Sequence, residues 1–257
     1  MSSDSDPLAV RDLTMGFGSY VLARELTFEV RRGEVFVIMG GSGSGKSTLL
    51  RHFLGLQEPL AGDIQYYGES FTTAAETDRT RMLRRCGTLF QSGALWSSMT
   101  LAENVAVPLE EFTDLRPREI REIVELKLAL VGLRGFEDYY PSEISGGMQK
   151  RAGLARAMAL DPDILFFDEP SAGLDPVSST LLDRLILELR DSLGATIVVV
   201  THELDSIFAI GTDSIFLDAE SRTMIARGNP RELRDHAEHP TVRRFLNRGH
   251  DPEEEVA

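Results

Sequence analysis

The sequence has little cysteine, a deficit of positive charge and no long apolar run. Its 257 residues include one cysteine, Cys86, which excludes an internal disulfide framework and suits a reducing cytosol. No stretch reaches the ~18 apolar residues of a membrane span and no signal peptide opens the chain, so we expect any membrane role to depend on a partner. Basic residues number 27 against 41 acidic ones, and the net charge of −14 argues against nucleic acid as a ligand.

What the sequence does contain is a glycine-rich stretch between an apolar run at 35–39 and an apolar segment at 49–54. It has the G-x-x-x-x-G-K-S spacing of a phosphate-binding loop and consists of Gly40, Gly41, Ser42, Gly43, Ser44, Gly45, Lys46, Ser47 and Thr48. Glycines let successive N–H groups converge on phosphate oxygens. Lys46 is placed to reach the β- and γ-phosphates, and the Ser47 hydroxyl to bind Mg²⁺. The alternative is a plain glycine-rich turn, but the flanking strand and helix favour a nucleoside triphosphate site.

Two carboxylates follow a short apolar run at residues 164–167. Such a run predicts a strand buried on both faces of a parallel sheet, and its carboxyl end would place Asp168 and Glu169 beside the phosphate loop. Asp168 would hold Mg²⁺, directly or through water. Glu169 would accept a proton from the water that attacks the γ-phosphate. The alternative is an acidic pair that only caps the strand.

A second small polar turn, formed by Ser145, Gly146 and Gly147, precedes an alanine-rich helical segment at 150–160. Its N–H groups form another anion site by the same physics. A chain that binds one nucleotide alone does not need two γ-phosphate sites. A head-to-tail homodimer does need both, because each Ser145 turn would close on the nucleotide that Lys46 of the other chain holds. The alternative is an ordinary helix with Ser145 as its N-cap.

Taken together, these motifs resemble the nucleotide-binding subunits of ABC transporters, over residues 8–228. The resemblance implies an α/β P-loop NTPase of ABC type with a mostly parallel core sheet, an antiparallel edge sheet and a helical subdomain. It also implies ATP hydrolysis with Mg²⁺ as cofactor. Gln91 matches the Q-loop residue that senses Mg²⁺ and water, residues 171–175 match the D-loop, and His202 matches the switch histidine near the γ-phosphate.

Two details of the resemblance concern individual side chains. The aromatic ring expected to stack on adenine is Phe17 or Tyr20, and Phe17, which Gly18 follows, fits the aromatic-glycine pattern of the family better. The turn of Ser145, Gly146 and Gly147 matches the signature motif of the family. That motif usually ends in glutamine, whereas this chain has Met148 there, so the contact of the glutamine side-chain amide is not carried over.

Strand and helix signals divide the chain into a core, an insertion and a tail. We expect the P-loop ATPase core at residues 1–91 and 161–235, where strand and helix patterns alternate. Residues 92–160 lack strand signals and are expected to form the helical subdomain that carries the signature. Residues 236–257 form a C-terminal tail.

Within these divisions, strands at 8–13 and 26–31 are expected to form the antiparallel edge sheet. Apolar residues at three- and four-residue intervals predict an amphipathic helix at 118–131. In the tail, residues 241–246 are expected to dock, whereas residues 251–257 are too acidic and too short to pack.

The loop at residues 92–100 is more apolar than a free surface loop, since it contains Leu95, Trp96 and Met99. Either these side chains fold back into the helical core, or they form a groove for a short helix of a membrane-embedded partner. This loop, residues 103–109 and the Ser-Gly-Gly-Met signature resemble the ATPases of Mla-type lipid transporters that work with MCE proteins.

That resemblance implies an ATPase that powers phospholipid transport at the cytoplasmic face of the bacterial inner membrane and maintains outer-membrane lipid asymmetry. The implied partners are a lipid permease, an MCE-domain substrate-binding protein and a small STAS-domain protein, with the tail reaching the neighbouring ATPase. Amino-acid and metal importers remain alternatives because the substrate is chosen by other subunits. An ABC protein without a transport role, or a scaffold that binds nucleotide without hydrolysing it, is disfavoured.

Overall fold

The computed structural model describes residues 5–249, which form an α/β fold around two sheets. The strands are β1 (Leu8–Phe17), β2 (Tyr20–Val30), β3 (Val35–Gly40), β4 (Ala61–Tyr66), β5 (Glu69–Ser70), β6 (Cys86–Leu89), β7 (Ile164–Asp168), β8 (Thr196–Val200), β9 (Asp213–Asp218) and β10 (Thr223–Arg227). The helices are α1 (Lys46–Phe53), α2 (Glu76–Leu83), α3 (Leu101–Phe112), α4 (Pro117–Leu130), α5 (Gly146–Ala157), α6 (Pro176–Leu193), α7 (Leu204–Ile210), α8 (Pro230–His236) and α9 (Pro240–Leu246), with a 3₁₀ turn at Pro141–Glu143. Within this range no helix has both the length and the apolar character to traverse a bilayer.

The central sheet has the strand order β10-β9-β3-β8-β7-β6. All neighbours in it pair in parallel except β10, which pairs antiparallel with β9. Every residue of β3 and β8 is buried, which explains why these strands have continuous apolar sequences rather than alternating ones. Because the carboxyl ends of parallel strands lie at one edge, the residues that follow β3, β6, β7 and β8 meet there. The predicted fold class is confirmed.

The second sheet is antiparallel, has the order β2-β1-β4-β5 and packs against the central sheet through a shared core. The rings of Phe28 and Phe36 stack there with 5.4 Å between centroids. Strand β1 contains the predicted strand 8–13 and continues to Phe17, whereas β2 begins at Tyr20, before the predicted strand 26–31, and ends at Val30. Asp12 and Glu25 have φ angles of 46° and 57°, and the pairing of β1 with β2 shifts register between Val10 and Leu13, so the alternating pattern revealed only part of each strand.

The part of the chain between β6 and β7 contains no strand and is built on α3, α4 and α5, as predicted. A capping box begins α3, since Thr100 Oγ1 accepts from the Glu103 N–H and the Glu103 carboxylate accepts from the Thr100 N–H. The amphipathic helix α4 buries Ile120, Val124 and Leu128, which recur at the spacing of one helix face.

The segment after α8 packs onto the core of the same chain. Val242 and Leu246 of α9 are buried in a cluster with Val37 and Met39 of β3, and the Phe245 ring lies edge-on to Phe216. The predicted docking of residues 241–246 therefore occurs on the central sheet. The acidic segment 251–257 lies outside the described residues. The division at 91/92, 160/161 and 235/236 stays a prediction.

Candidate functional site

The phosphate loop connects β3 to α1, and three of its glycines have backbone conformations that other residues rarely adopt. Gly40, Gly43 and Gly45 have φ angles of 147°, 77° and 96°. At Gly40 a Cβ would also lie 2.2 Å from the carbonyl oxygen of Leu217. Gly45 is the N-cap of α1 and supplies no side-chain cap, so the first N–H groups of the helix are available to an anion.

Lys46 lies over this loop and closes it. Its Nζ donates to the carbonyl oxygens of Gly40 and Gly41 at 2.8 and 2.9 Å. Burial lowers the Lys46 pKa, whereas the Glu169 and Asp168 carboxylates raise it. The ammonium group is thus held at the N-terminus of α1, where a bound phosphate chain would meet both the cation and the helix dipole.

Ser47 and Asp168 form the predicted cation-binding pair, one from α1 and the other from the end of β7. The Ser47 hydroxyl donates to Asp168 Oδ1 at 3.0 Å. Burial raises the Asp168 pKa, and the hydrogen bond from Ser47 lowers it. In the part of the chain that the structure describes, no group of three or more His, Cys, Asp and Glu residues is arranged to hold a metal by itself. A hydroxyl and one carboxylate instead fit Mg²⁺, which typically takes one or two protein ligands and completes its shell with phosphate oxygens and water.

Glu169 is held beside this pair in a well-defined orientation. It is 9% exposed, and its Oε1 lies 2.7 Å from His202 Nδ1. An ionised carboxylate only accepts, so this contact requires the proton on Nδ1. The second oxygen, Oε2, is buried and accepts no hydrogen bond from any of residues 5–249. An unpaired buried carboxylate oxygen is costly, so a bound ligand or water beside Oε2 would supply the missing hydrogen bond.

A cavity of about 770 Å³ brings these groups together. The sequence-predicted residues that line it are Phe17, Gly40, Gly41, Ser42, Gly43, Gly45, Lys46, Ser47, Thr48, Gln91, Glu169 and His202. Ser44 is buried behind the loop, and Asp168 reaches the site through its bond with Ser47.

The cavity also favours Phe17 over Tyr20 as the partner of a nucleobase. The Phe17 ring is 55% exposed and lines the cavity. Tyr20 is similarly exposed but does not line the cavity, and the Arg222 guanidinium lies 5.1 Å from the centroid of the Tyr20 ring. Phe245 of α9 also lines the cavity, a contact that the sequence analysis missed because α9 is more than 190 residues from the phosphate loop.

The Ser145 turn, in contrast, does not line the cavity of its own chain. Ser145 and Gly146 are exposed, and Ser145 Oγ accepts from the Met148 N–H at 3.3 Å, so Ser145 is the N-cap of α5. Both predicted roles of Ser145 are compatible, because a capped helix N-terminus on the surface still presents N–H groups to a neighbouring molecule. Next to Met148, the Gln149 amide donates to the Pro141 carbonyl at 2.8 Å and braces the turn.

The loop at residues 92–100, which we call the Gln91 loop because it follows Gln91, lies beside a second cavity. This cavity is an apolar groove of about 600 Å³ between the core and the helical region. It is lined mainly by apolar side chains, including Leu56, Phe90, Trp96 and Phe112. Trp96 is 48% exposed, whereas Leu95 and Met99 are partly buried and Leu95 packs on the helical core. Folding back onto the helical core is therefore observed for Leu95, whereas binding of a partner helix at Trp96 stays a prediction.

Sequence reasoning missed a set of buried polar groups behind Glu169. Lys150 of α5 donates from its Nζ to the carbonyl oxygens of Glu169 and Ala172, which precede and follow Ser171 in the chain. The Ser206 hydroxyl donates to Asp183 Oδ2 at 3.0 Å and also contacts Ser171 Oγ. Burial raises the Asp183 pKa to about 6, while the hydrogen bond from Ser206 lowers it. These residues are far apart in the sequence, and no motif signals their proximity.

Curated relatives match nearly the whole chain. The probable ribonucleotide transport ATP-binding protein mkl of Mycobacterium leprae is 42% identical over 240 residues, which cover 93% of this chain and 68% of mkl. The match to mkl of Mycobacterium tuberculosis H37Rv has the same identity and covers 66% of that protein, so the chain spans about two thirds of these relatives. The intermembrane phospholipid transport system ATP-binding protein MlaF of Escherichia coli K12 is 40% identical over 238 residues, covering 93% of this chain and 87% of MlaF.

Solved structures agree with these matches. CbiO1 from Clostridium perfringens, part of the ABC transporter complex cbiONQ, superposes with a TM-score of 0.82 at 28% identity and covers 91% of this chain and 93% of its own. The bacterial ABC transporter cassette MJ0796, described as dimeric, superposes with a TM-score of 0.78 at 28% identity and covers 86% of this chain and 98% of its own. A model of the ABC transporter family matches residues 23–172, which is more than half of the sequence. This chain therefore belongs to the ABC transporter family and is one of its ATP-binding, ATP-hydrolysing proteins.

Proposed function

We propose that this chain powers phospholipid transport at the cytoplasmic face of the bacterial inner membrane, where two copies close on two ATP molecules. The main support for this substrate is the match to MlaF, which covers more of the relative than the match to mkl does. The apolar groove beside the Gln91 loop gives a site for the membrane-embedded subunit. The MCE-domain and STAS-domain partners belong to the same proposal and rest on the resemblance alone.

Hydrolysis is proposed to use Glu169 as the general base. Its Oε2, which accepts no hydrogen bond within residues 5–249, would accept a proton from the water that attacks the γ-phosphorus, and ADP would leave with the bridging oxygen on its β-phosphate. His202 Nδ1 holds the other carboxylate oxygen and so fixes the orientation of the base. Lys46 and the loop N–H groups stabilise the phosphate charge, and Phe17 stacks on the adenine ring.

Mg²⁺ fits the pair formed by Ser47 and Asp168, and Gln91 lines the same cavity and is placed to contact the ion or its water. When bound, the ion would neutralise the charge that builds up on the β- and γ-phosphate oxygens. These two residues would position the ion, since their hydrogen bond already holds the two oxygen atoms 3.0 Å apart.

Assembly as a head-to-tail homodimer is proposed because the Ser145 turn is exposed and lies outside the cavity of its own chain. A two-fold axis would bring this turn of each copy to the γ-phosphate held by the other. The dimeric cassette MJ0796 shows that a relative of the same fold can assemble in pairs.

The groove beside Gln91 has the properties expected of a docking site for a permease. Arg156 of α5 fixes its loop by donating to the carbonyl oxygens of Gly93 and Ala94, and its guanidinium lies 5.1 Å from the Trp96 ring centroid. Asn104 of α3 donates to the Trp96 carbonyl and accepts from the Trp96 N–H. The loop is thus ordered although its largest apolar ring is half exposed, which favours a surface prepared for a partner.

A second candidate substrate is a ribonucleotide, because the mkl proteins are named for ribonucleotide transport at 42% identity. Amino-acid and metal importers remain further alternatives. The proposed ATPase chemistry would be the same in each case, because it uses the residues that line the nucleotide cavity. Purification of the chain together with its membrane subunits, followed by extraction of bound lipid and bound nucleotide, separates these candidates. Recovery of phospholipid supports the proposal, and an importer permease without phospholipid contradicts it.

Trp96→Glu is expected to abolish binding of the permease while ATP binding and folding persist. The change removes the exposed ring and places a carboxylate in an apolar groove, where an unmatched charge is costly at an interface. Because Arg156 lies against the ring and would pair with the new carboxylate, Trp96→Ala is measured alongside it to separate loss of the ring from gain of charge. Co-purification with the membrane subunits and nucleotide binding by calorimetry are the two measurements.

Leu126→Glu is the matched control for these variants. Leu126 is 56% exposed on α4 and does not line the groove. Its replacement introduces the same charge on the same subdomain and should leave the complex intact. Retention of the permease by both Trp96 variants would show that the groove is not the docking surface and would leave the ATPase assignment unaffected.

A further inference from the structure

Lys150 is a buried lysine one and a half turns into α5, the helix that begins with the signature turn. Its side chain is almost entirely removed from solvent, with the residue 6% exposed. Its Nζ donates to the carbonyl oxygens of Glu169 and Ala172 at 3.1 and 3.2 Å. Both acceptors are main-chain atoms of the turn that follows β7, so the ammonium group links the signature helix to the loop that carries the proposed base.

The loop that Lys150 contacts is conformationally unusual. Glu169 has a φ angle of 48°, in the left-handed region that a residue with a Cβ seldom occupies. Such a conformation persists only where the surroundings fix it. The Glu169 N–H donates to the Val200 carbonyl at 2.8 Å, and its own carbonyl accepts from the Ala172 N–H at 3.2 Å as well as from Lys150. Lys150 is thus the side chain that fixes the carbonyl end of this residue.

The electrostatics of Lys150 agree with a role toward this loop. Burial lowers the Lys150 pKa, and the nearby Glu169 and Asp168 carboxylates partly offset that effect. Among residues 5–249, no Asp or Glu oxygen forms an ion pair with it, in contrast to Lys127, which is 4% exposed and pairs with Asp161. A buried cation whose hydrogen bonds go to two carbonyls of one turn restrains the position of that turn.

We propose that Lys150 is a positioning residue that holds the Glu169 backbone so that its carboxylate faces the attacking water. Because Lys150 lies on the helix that Ser145 begins, a movement of the signature turn on the nucleotide of the neighbouring chain is passed to Glu169 of its own site. The role rests on the proposed function of Glu169 as the base and adds to it the group that keeps the base in place.

Lys150→Met tests this role, since methionine keeps the apolar stem and removes the charge and the donors. Steady-state hydrolysis by the whole 257-residue chain should show kcat lowered about 10- to 100-fold with KM for ATP changed little, because misplacing a reacting group by about 1 Å has effects of that size. Lys127→Met, the same replacement at a buried lysine that contacts neither the turn nor the cavity, should keep the parental kcat.

Two further measurements separate positioning from general damage. The first measurement repeats Lys150→Met in a protein that already carries Glu169→Gln and follows single-turnover hydrolysis of labelled ATP over hours. In that background Lys150→Met should lower the rate less than about twofold, because the effects of substitutions at groups that act through one another are not additive. Hydrogen exchange at the Ala172 amide, which bonds the Glu169 carbonyl, should be about tenfold faster in Lys150→Met than in Lys127→Met.

A folded Lys150→Met protein with parental kcat and unchanged exchange at Ala172 would overturn the proposal. So would a loss of kcat that Lys127→Met shares, or one that is equally large in the Glu169→Gln background. Failure of the underlying function would look different, since Glu169→Gln alone would then hydrolyse ATP at the parental rate.

Discussion

Glu169→Gln should lower ATP hydrolysis by at least ~10²-fold, the loss expected when a general base is removed. The amide keeps the shape of the side chain and an oxygen for the hydrogen bond from His202 Nδ1, so the loop should keep its structure. The amide cannot act as a base at the position of Oε2, the oxygen that accepts no hydrogen bond within residues 5–249. Phosphate release with Mg-ATP measures the effect, and light scattering should show a closed dimer that accumulates because ATP is no longer consumed.

Two comparison variants define what this result means. Lys46→Ala removes the cation at the phosphate loop and should weaken ATP binding itself, which calorimetry would detect. Glu203→Gln changes the neighbouring carboxylate, half exposed and 3.7 Å from His202 Nε2, and should leave hydrolysis close to the parental rate. Parental hydrolysis by Glu169→Gln, with intact binding, would remove the role of base from Glu169.

The site could be predicted to the extent that its residues follow buried parallel strands. The apolar runs of β3, β7 and β8 are continuous because both faces of these strands are covered, and parallel pairing then brings their carboxyl ends to one edge. Neighbouring ends supply the phosphate loop, the pair Asp168 and Glu169, and His202. Local sequence patterns therefore predicted that these residues lie together at one edge of the sheet, and the structure places them there.

Other parts of the site depend on contacts that no local pattern encodes. Lys150 lies in an alanine-rich helix where a lysine usually points to solvent, and only the packing of α5 against the turn after β7 buries it. Phe245 reaches the cavity because α9 docks on β3, which is a contact across some 200 residues of sequence. The positive φ of Glu169 is likewise imposed by tertiary hydrogen bonds, against the intrinsic preference of the residue. Long-range packing and strain are what the sequence patterns did not show.

A mixture of Lys46→Ala and Ser145→Arg chains should recover hydrolysis that each variant lacks alone. In a head-to-tail heterodimer, one site combines the altered phosphate loop with the altered signature turn, and the other site carries neither change. A purified heterodimer should therefore show about half of the parental activity if its two sites work independently. The structural ground is that Ser145 is exposed and does not line the cavity that contains Lys46 of the same chain.

The matched control places both changes in one chain and pairs it with an unaltered chain. Suppose that each site is formed by the phosphate loop of one chain and the Ser145 turn of the other. Each site of that heterodimer then contains one defect, because the unaltered loop meets the altered turn and the altered loop meets the unaltered turn. It should then be inactive although it carries the same two substitutions in total. If instead each chain uses its own Ser145, the outcome reverses: the control keeps one complete site and the mixture of single variants has none. Tandem affinity tags isolate each heterodimer, and phosphate release from the two preparations decides between the arrangements.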